Sequence, residues 1–243
     1  MMKCCLLLLG LVALAHALSL GPIEKKSLSS SDEVFQPIEV HLAFTKQYDG
    51  MIVTFHAKNY DETVVGKPIV RYSKDKSFKS YQVASVGSVI TQYGEIAETG
   101  FDISIPLANL DAASIYYYQC GYSNSNVSSE IYKFHTRTNP DALESFDTTV
   151  VMYGDQGTTN SKNVIAQTLK FVRSFYEESV ANKNLFIYHL GDIGYADDFS
   201  GVLYQAIWTK YMHMMSSIMP YVPYMVCVGN HEVGCNTITM YKS

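Results

Sequence analysis

Three segments of the sequence end an apolar run with a glycine that is followed by an acidic or amide side chain. These pairs are Gly154-Asp155, Gly191-Asp192 and Gly229-Asn230. If each run is a parallel strand, the pairs follow the carboxyl ends of the strands, where open α/β sheets form their sites. A glycine there allows a sharp turn of the backbone. One Gly-Asp pair is more often an ordinary turn, but three of them predict oxygens that converge on one edge of a sheet.

Converging carboxylates indicate a metal site, because two of them without a counter-charge repel each other and one stays protonated. Asp192, which belongs to the second of the three pairs, is expected to bridge two metal ions, while Asp155 and Asn230 each bind one. Tyr195 follows Asp192 closely enough to turn back to the same ion. These oxygen donors suit a hard metal. His231, next to Asn230, is expected to face a substrate or its leaving group.

The elements that position these residues are predicted from the second half of the chain. The compact apolar runs "TTVVMYGD", "NLFIYHLGD" and "VPYMVCVGN" are typical of strands. The segment "NSKNVIAQTLKFVRSFYEESVANK" has apolar residues at helical spacing, and "GVLYQAIWTKYMHMMSSIM" is a second predicted helix that ends before Pro220. Strand, helix, strand, helix, strand predicts parallel βαβ units with right-handed crossovers.

The preceding part of the chain, up to Thr136, has a different pattern. Short runs rich in Ile, Val, Tyr and Phe alternate with polar turns, as in "IEVHLAFT", "GMIVTFHA" and "SIYYYQCGY". Six or seven such strands predict a β-sandwich of immunoglobulin or fibronectin III type. Leu110 followed by Tyr116 is typical of the tyrosine corner of these sandwiches, although Tyr116 could also be a plain strand residue. The predicted domains are a sandwich at 32–138, a linker at 139–147 and an α/β domain at 148–243.

The N-terminus has the layout of a secretory signal peptide. Lys3 precedes an apolar run at 4–15, and an Ala-x-Ala site follows, which predicts cleavage after Ala17 and a signal peptide at 1–17. An uncleaved anchor is disfavoured because the apolar run is too short to span a bilayer comfortably. The mature protein is therefore predicted to be secreted or to reside in the endomembrane lumen, lysosome or vacuole included, with no stable membrane anchor.

Two features of the mature chain concern covalent chemistry. A sequon at 126–128 makes Asn126 a predicted glycosylation site. Removal of the signal peptide leaves Cys120, Cys227 and Cys235, an odd number. At least one thiol is therefore free, lacks its partner or pairs between two chains, so a homodimer stays open.

The charge of the chain excludes one class of partner. The formal net charge is -5, and the lysines and arginines form no extended run. A nucleic-acid-binding surface is therefore not expected. An anionic substrate would need positive charge from another source, and metal ions are such a source.

The motifs "GDQG", "GDIGYADD" and "GNHE" resemble the first three blocks of the calcineurin-like metallophosphoesterases. The tyrosine in the second block narrows the resemblance to the purple acid phosphatases. Plant-type members carry a fibronectin-like sandwich before the catalytic domain, and "LANLDAASIYYYQCGY" and "FHTRT" resemble the end of that sandwich. The resemblance implies that the second domain belongs to an αββα metallophosphoesterase sandwich.

The resemblance also implies a role for each candidate residue. Asp155 and Tyr195 would bind Fe(III), Asp192 would bridge it to a second divalent ion (Zn, Mn or Fe), and Asn230 would bind that second ion. His231 would contact the phosphate. The implied activity is hydrolysis of phosphate monoesters at acidic pH, with a metal-bound hydroxide as the nucleophile.

The sequence departs from the family pattern after the third block. The family completes its centre with histidines in a Val-x-x-His and a Gly-His-x-His block, whereas no histidine follows His231 here. We therefore expect the front portion of a longer enzyme, with an incomplete catalytic domain and no appreciable activity in these 243 residues. The alternative is a short secreted binding or regulatory protein that uses its β-sandwich.

Overall fold

The computed structural model describes residues 32–85, 87–94, 99–141, 147–159, 161–177, 183–199 and 201–233. The predicted signal peptide with its cleavage after Ala17, and also Cys235, lie outside these residues. The described chain has an all-β part followed by an α/β part, as the sequence predicted. Among the described helices, none is long and apolar enough to cross a membrane.

The all-β part is a sandwich of two antiparallel sheets. Its described strands are β1 (Ile38–Phe44), β2 (Met51–Ala57), β3 (Pro68–Ser73), β4 (Gln82–Ala84), β5 (Val89–Gly94), β6 (Thr99–Leu107), β7 (Ile115–Tyr122) and β8 (Tyr132–His135), with a short helix α1 (Glu62–Val65) between β2 and β3. The sheets have the orders β1-β2-β6-β5 and β4-β3-β7-β8. The sandwich prediction is confirmed. The short strands β4 and β5 lie at edges of the two sheets, and neither is among the apolar runs quoted above.

Alternating side chains of the two sheets form the core of the sandwich. The buried members include Val40, Leu42, Met51, Val53, Phe55, Ile103 and Ile105 on one sheet, and Val70, Tyr118, Cys120, Tyr122 and Phe134 on the other. The backbone N–H of Asp111 donates to the hydroxyl of Tyr116 at 3.0 Å. Because this bond joins a strand tyrosine to the backbone shortly before it, the tyrosine-corner interpretation of Tyr116 is confirmed.

The α/β part contains a parallel sheet with helices between its strands. Its elements are β9 (Asp147–Tyr153), α2 (Lys162–Glu177), β10 (Lys183–His189), α3 (Gly201–Met215) and β11 (Tyr224–Val226), and the sheet order is β11-β10-β9. In α2, Thr168, Val172 and Phe175 are buried at the i, i+4, i+7 spacing of one helix face. The third strand is shorter than predicted, so Gly229 and Asn230 lie in the turn after it.

The two parts contact each other through aromatic side chains. The hydroxyl of Tyr118 on β7 donates to the carbonyl of Pro220 at 2.8 Å. The rings of Phe44 on β1 and Phe186 on β10 have centroids 5.5 Å apart. Pro220 precedes β11, so the sandwich holds the segment that leads into the third strand.

Loss of the Tyr118 hydroxyl tests this contact. Tyr118→Phe leaves the carbonyl of Pro220 without its buried donor, so we expect the free energy of unfolding to fall by about 1–3 kcal/mol. Urea unfolding followed by circular dichroism measures the change. Tyr117→Phe is the control, because this neighbour is half-buried on the same strand. A loss of the same size in the control would contradict a specific role for the bond to Pro220.

His135, at the end of β8, is a buried titratable group. Its side chain is 7% exposed, and its Nε2 atom has no hydrogen-bond partner among the described residues. Burial lowers the pKa of His135 to about 4 from its ordinary value of 6.5. Between these values the unfolded chain binds a proton that the folded chain does not, so the stability contribution is present at neutral pH and is lost as pH falls.

His135 therefore predicts acid sensitivity of the fold. The pKa shift corresponds to a loss of about 1.4 kcal/mol of unfolding free energy per pH unit within the window, and to about 2 kcal/mol between pH 7 and pH 5. His135→Gln removes the titrating ring, so its stability is expected to fall less than that of the unmutated chain over the same interval. Urea unfolding at both pH values measures this, and equal losses in the two chains would contradict the assignment.

Candidate metal centre

The turns after β9 and β10 hold three of the predicted ligands in an uncommon backbone conformation. The φ angles of Asp155, Asp192 and Tyr195 are 53°, 52° and 55°. Left-handed backbone costs a side-chain-bearing residue on the order of 1 kcal/mol or more and persists only where its surroundings enforce it. The packing between the turns must therefore supply that restraint.

Backbone hydrogen bonds join the first turn to the second. Three N–H groups after β9 donate to carbonyls after β10: Asp155 to Gly191 at 3.2 Å, Gln156 to Asp192 at 3.2 Å and Gly157 to Ile193 at 2.9 Å. These bonds extend the β9–β10 pairing beyond the ends of the strands. As a result, Asp155 and Asp192 are carried by two turns that cannot move independently.

The carboxylate of Glu232 joins the second turn to the third. It accepts the backbone N–H groups of Asp192 at 2.8 Å, Ile193 at 2.7 Å and Gly229 at 2.9 Å. In the opposite direction, Asp192 Oδ1 accepts the N–H of His231 at 3.0 Å. Hydrogen bonds to an ionised carboxylate are stronger than those between neutral groups. Each turn therefore carries an acidic side chain that binds the backbone of the other.

Two glycines permit this close approach. A Cβ atom on Gly191, whose φ is +91°, would lie 2.6 Å from the backbone nitrogen of Gly229. A Cβ atom on Gly229 would lie 2.1 Å from Asp192 Oδ1. Both separations are far inside van der Waals contact, so a side chain at either position would push the turns apart. Gly191 and Gly229 are thus required by the spacing between the turns, and Gly191 also by its positive φ.

The structure brings some of the predicted ligands together directly. The hydroxyl of Tyr195 donates to Asp155 Oδ1 at 3.0 Å. Asn230 lies in the third turn beside His231, but within the described residues its side-chain amide has no hydrogen bond to Asp155 or Asp192. Desolvation and the neighbouring carboxylates raise the pKa of Tyr195 to about 12, so its phenol is protonated in this arrangement.

His231 contacts an acidic pair that the sequence analysis did not select. Its Nδ1 atom lies 2.9 Å from Asp197 Oδ1 and 3.7 Å from Asp198 Oδ1. The hydrogen bond to Asp197 raises the pKa of His231 above its ordinary value. The His231 ring also packs 4.1 Å from the Tyr195 ring, measured between centroids. The imidazole is therefore held between Tyr195 and Asp197.

The same three side chains form a group that could hold a cation. The candidate ligand atoms of Asp197, Asp198 and His231 all lie within 4.8 Å of one another. None of these three side chains is among the predicted metal ligands, although they lie close to those ligands along the chain. Asp197 and Asp198 are visible in the sequence as "YADD", and Glu232 as the last residue of "GNHE". Neither motif shows that Asp197 contacts the His231 ring or that Glu232 binds backbone N–H groups.

The comparisons with known proteins agree with this architecture. Residues 37–136 match the purple acid phosphatase N-terminal domain. The chain is 27% identical to a probable inactive purple acid phosphatase 9 of Arabidopsis thaliana over 227 residues, which are 86% of this chain and 32% of that protein. It is 28% identical to acid phosphatase type 7 of Danio rerio, with 83% of this chain and 41% of that protein covered.

A solved structure shares the fold. Purple acid phosphatase PPD1 from yellow lupin (Lupinus luteus) seeds superposes with a TM-score of 0.61 at 23% identity, over 81% of this chain and 36% of that one. The chain thus spans less than half the length of each of these relatives. The N-terminal domain match, the related sequences and the shared fold agree that this chain is similar to purple acid phosphatases in both its all-β part and its α/β part.

Proposed function

We propose that this chain contributes to a dinuclear metal centre that hydrolyses phosphate monoesters. Asp155 and Tyr195 would hold Fe(III), Asn230 would hold a second divalent ion (Zn, Mn or Fe), and Asp192 would bind both ions. The observation that carries the proposal is the 3.0 Å separation of the Tyr195 and Asp155 oxygens. Tyr195 lies in the same turn as Asp192, and the turn of Asp155 is hydrogen-bonded to it.

The donor set fits such a centre. The Tyr195 hydroxyl and the Asp155 carboxylate lie 3.0 Å apart, which is close enough for both oxygens to bind one cation. Asp155 is exposed and Asp192 is half-buried, so both carboxylates are reachable from solvent. Carboxylate, amide and phenol oxygens are donors that hard cations prefer.

The chain's own residues prepare the site for an anionic substrate. A cation held beside Tyr195 would favour the phenolate form of its side chain, because an adjacent positive charge stabilises the anion. His231, whose ring orientation is set by Asp197, contacts a phosphate oxygen of the substrate. At acidic pH the His231 ring carries a positive charge, which complements the phosphate.

The metal ions, when bound, neutralise charge on the phosphate oxygens and lower the pKa of water. They supply the positive charge that a chain of net charge -5 does not supply from its side chains. Glu232 and the two close-approach glycines keep the three turns in place while the ligands bind.

We also propose that the protein is secreted and glycosylated. Asn126 is exposed in the connection between β7 and β8, whereas the following residue, Val127, is 3% exposed and packs into the sandwich core. A glycan on Asn126 would therefore project into solvent without disturbing the core.

Removal of one bridging carboxylate tests the centre. In Asp192→Asn, the replacement keeps the acceptor for His231 but removes the charge, so we expect Mn²⁺ to bind at least about tenfold more weakly. Calorimetric titration of the purified chain with Mn²⁺ measures the affinity. Mn²⁺ is the probe because it prefers oxygen ligands.

A control at the opposite end of the sheet separates ligation from general charge. Asp147 begins β9, whereas Asp155 follows its end, and Asp147 is exposed. Asp147→Asn is expected to bind Mn²⁺ like the unmutated chain, and Asp155→Asn like Asp192→Asn. Equal affinity in all three variants would refute the proposed ligand set.

The 243 residues themselves are expected to show no appreciable phosphatase turnover. The reason is that the proposed ligands are all oxygen donors and no histidine follows His231 to complete either ion's coordination. Release of p-nitrophenol from p-nitrophenyl phosphate at pH 5, with and without added Fe³⁺ and Mn²⁺, measures this. Sustained metal-dependent turnover that Asp192→Asn abolishes would contradict the expectation.

A further inference from the structure

A buried polar cluster lies below the turns of the proposed metal centre and has no part in the proposed mechanism. It contains His189 at the end of β10, Tyr224 at the start of β11, Tyr211 on α3 and Gln156 just after β9. Their exposed fractions are 0%, 8%, 1% and 8%. Polar groups at such depth are costly unless they are hydrogen-bonded. Four separate elements therefore meet at one buried set of hydrogen bonds.

The hydrogen bonds of this cluster all donate in the same direction, from His189 through Tyr224 and Tyr211 to Gln156. The hydroxyl of Tyr211 donates to Gln156 Oε1 at 2.9 Å. A hydroxyl has a single proton, so the Tyr211 oxygen accepts from the hydroxyl of Tyr224, 2.6 Å away. The Tyr224 oxygen in turn accepts from the Nδ1–H of His189. Burial lowers the pKa of His189 to about 4, so the neutral ring has one N–H. That proton is assigned to Nδ1 because the Tyr224 hydroxyl already donates to Tyr211, whose oxygen also lies 3.2 Å from Nδ1.

Gln156, at the end of this series of hydrogen bonds, directly follows the proposed ligand Asp155 in the sequence. Gln156 is buried, whereas Asp155, the preceding residue with φ 53°, is exposed. The backbone N–H of Gln156 donates to the carbonyl of Asp192. Gln156 is thus held by its main chain against the second turn and by its side chain against Tyr211. With Gln156 fixed inward, the turn has little freedom to redirect Asp155.

We propose that the hydrogen-bond chain from His189 to Gln156 positions Asp155, with Tyr211 as the residue that holds the Gln156 amide below the edge of the sheet. Tyr211 and Gln156 are positioning residues, because they act on the site through Asp155. The inference rests on the proposed function insofar as Asp155 binds a metal ion. The fixing of the turn itself is independent of any ion.

Hydrogen exchange of the backbone amides tests the fixing of the turn. The amides of Asp155, Gln156 and Gly157 are all bonded to the second turn, so their exchange reports its opening. Tyr211→Phe and Gln156→Met each remove the bond between these two side chains. In the full chain without metal, we expect exchange at these amides to become about fivefold to tenfold faster, while peptides of the sandwich stay unchanged.

Two comparisons make this test specific. Tyr204→Phe changes a half-buried tyrosine on the same helix and is expected to leave exchange at 155–157 unchanged. The double variant Tyr211→Phe/Gln156→Met is expected to exchange like either single variant, because both remove one shared bond. Equal acceleration by Tyr204→Phe, multiplied effects in the double variant, or acceleration spread evenly through α3 and β10 would each overturn the proposal.

Metal binding tests the consequence for Asp155. Calorimetric titration with Mn²⁺ is expected to show about tenfold weaker binding by Tyr211→Phe and unchanged binding by Tyr204→Phe. Equal Mn²⁺ affinity in Tyr211→Phe and the unmutated chain would overturn the positioning role even if exchange were faster. If the unmutated chain binds no Mn²⁺, the proposed function is refuted, and the exchange measurement still decides whether the hydrogen-bond chain fixes the turn.

Discussion

The carboxylate of Glu232 accepts three backbone N–H groups from two turns, and the arrangement of the site depends on that interaction. Without it, the N–H groups of Asp192, Ile193 and Gly229 would lack their acceptors, and the left-handed backbone at Asp192 would lose one of its restraints. The reciprocal bond from His231 to Asp192 then sets the orientation of the bridging carboxylate. Asp192 and Glu232 thus each accept backbone N–H groups from the other's turn, independently of any bound ligand.

The sandwich contacts the third strand of the α/β part, which leads into the site. Tyr118 on β7 donates to the carbonyl of Pro220, which precedes β11, and the N–H of Phe44 on β1 lies 3.4 Å from the sulfur of Met225 within β11. This three-residue strand lies at the edge of the described sheet, where it pairs with β10 on one side. Contacts from the sandwich therefore help to fix the strand that delivers Asn230, His231 and Glu232.

Periodicity predicted the two kinds of domain because each depends on local patterning. Alternating apolar residues predicted the strands of the sandwich, and Tyr116 forms the predicted tyrosine corner, in which its hydroxyl accepts the N–H of Asp111. The helical spacing of α2 matches its buried face at Thr168, Val172 and Phe175. The third strand was predicted too long because the apolar run continues to Val228, whereas the strand itself ends at Val226 and Gly229 then passes close to Asp192.

The sequence by itself determined that Asp155, Asp192 and Asn230 would follow the ends of three strands. Each apolar run and the motif that follows it are adjacent along the chain, so local patterning is enough to predict this. Only the tertiary structure decided which of these groups contact each other. It pairs Tyr195 with Asp155 and His231 with Asp197, and it turns Gln156 inward to Tyr211. Such contacts join residues that are tens of positions apart, and their geometry depends on how closely the turns pack, which no single segment of sequence encodes.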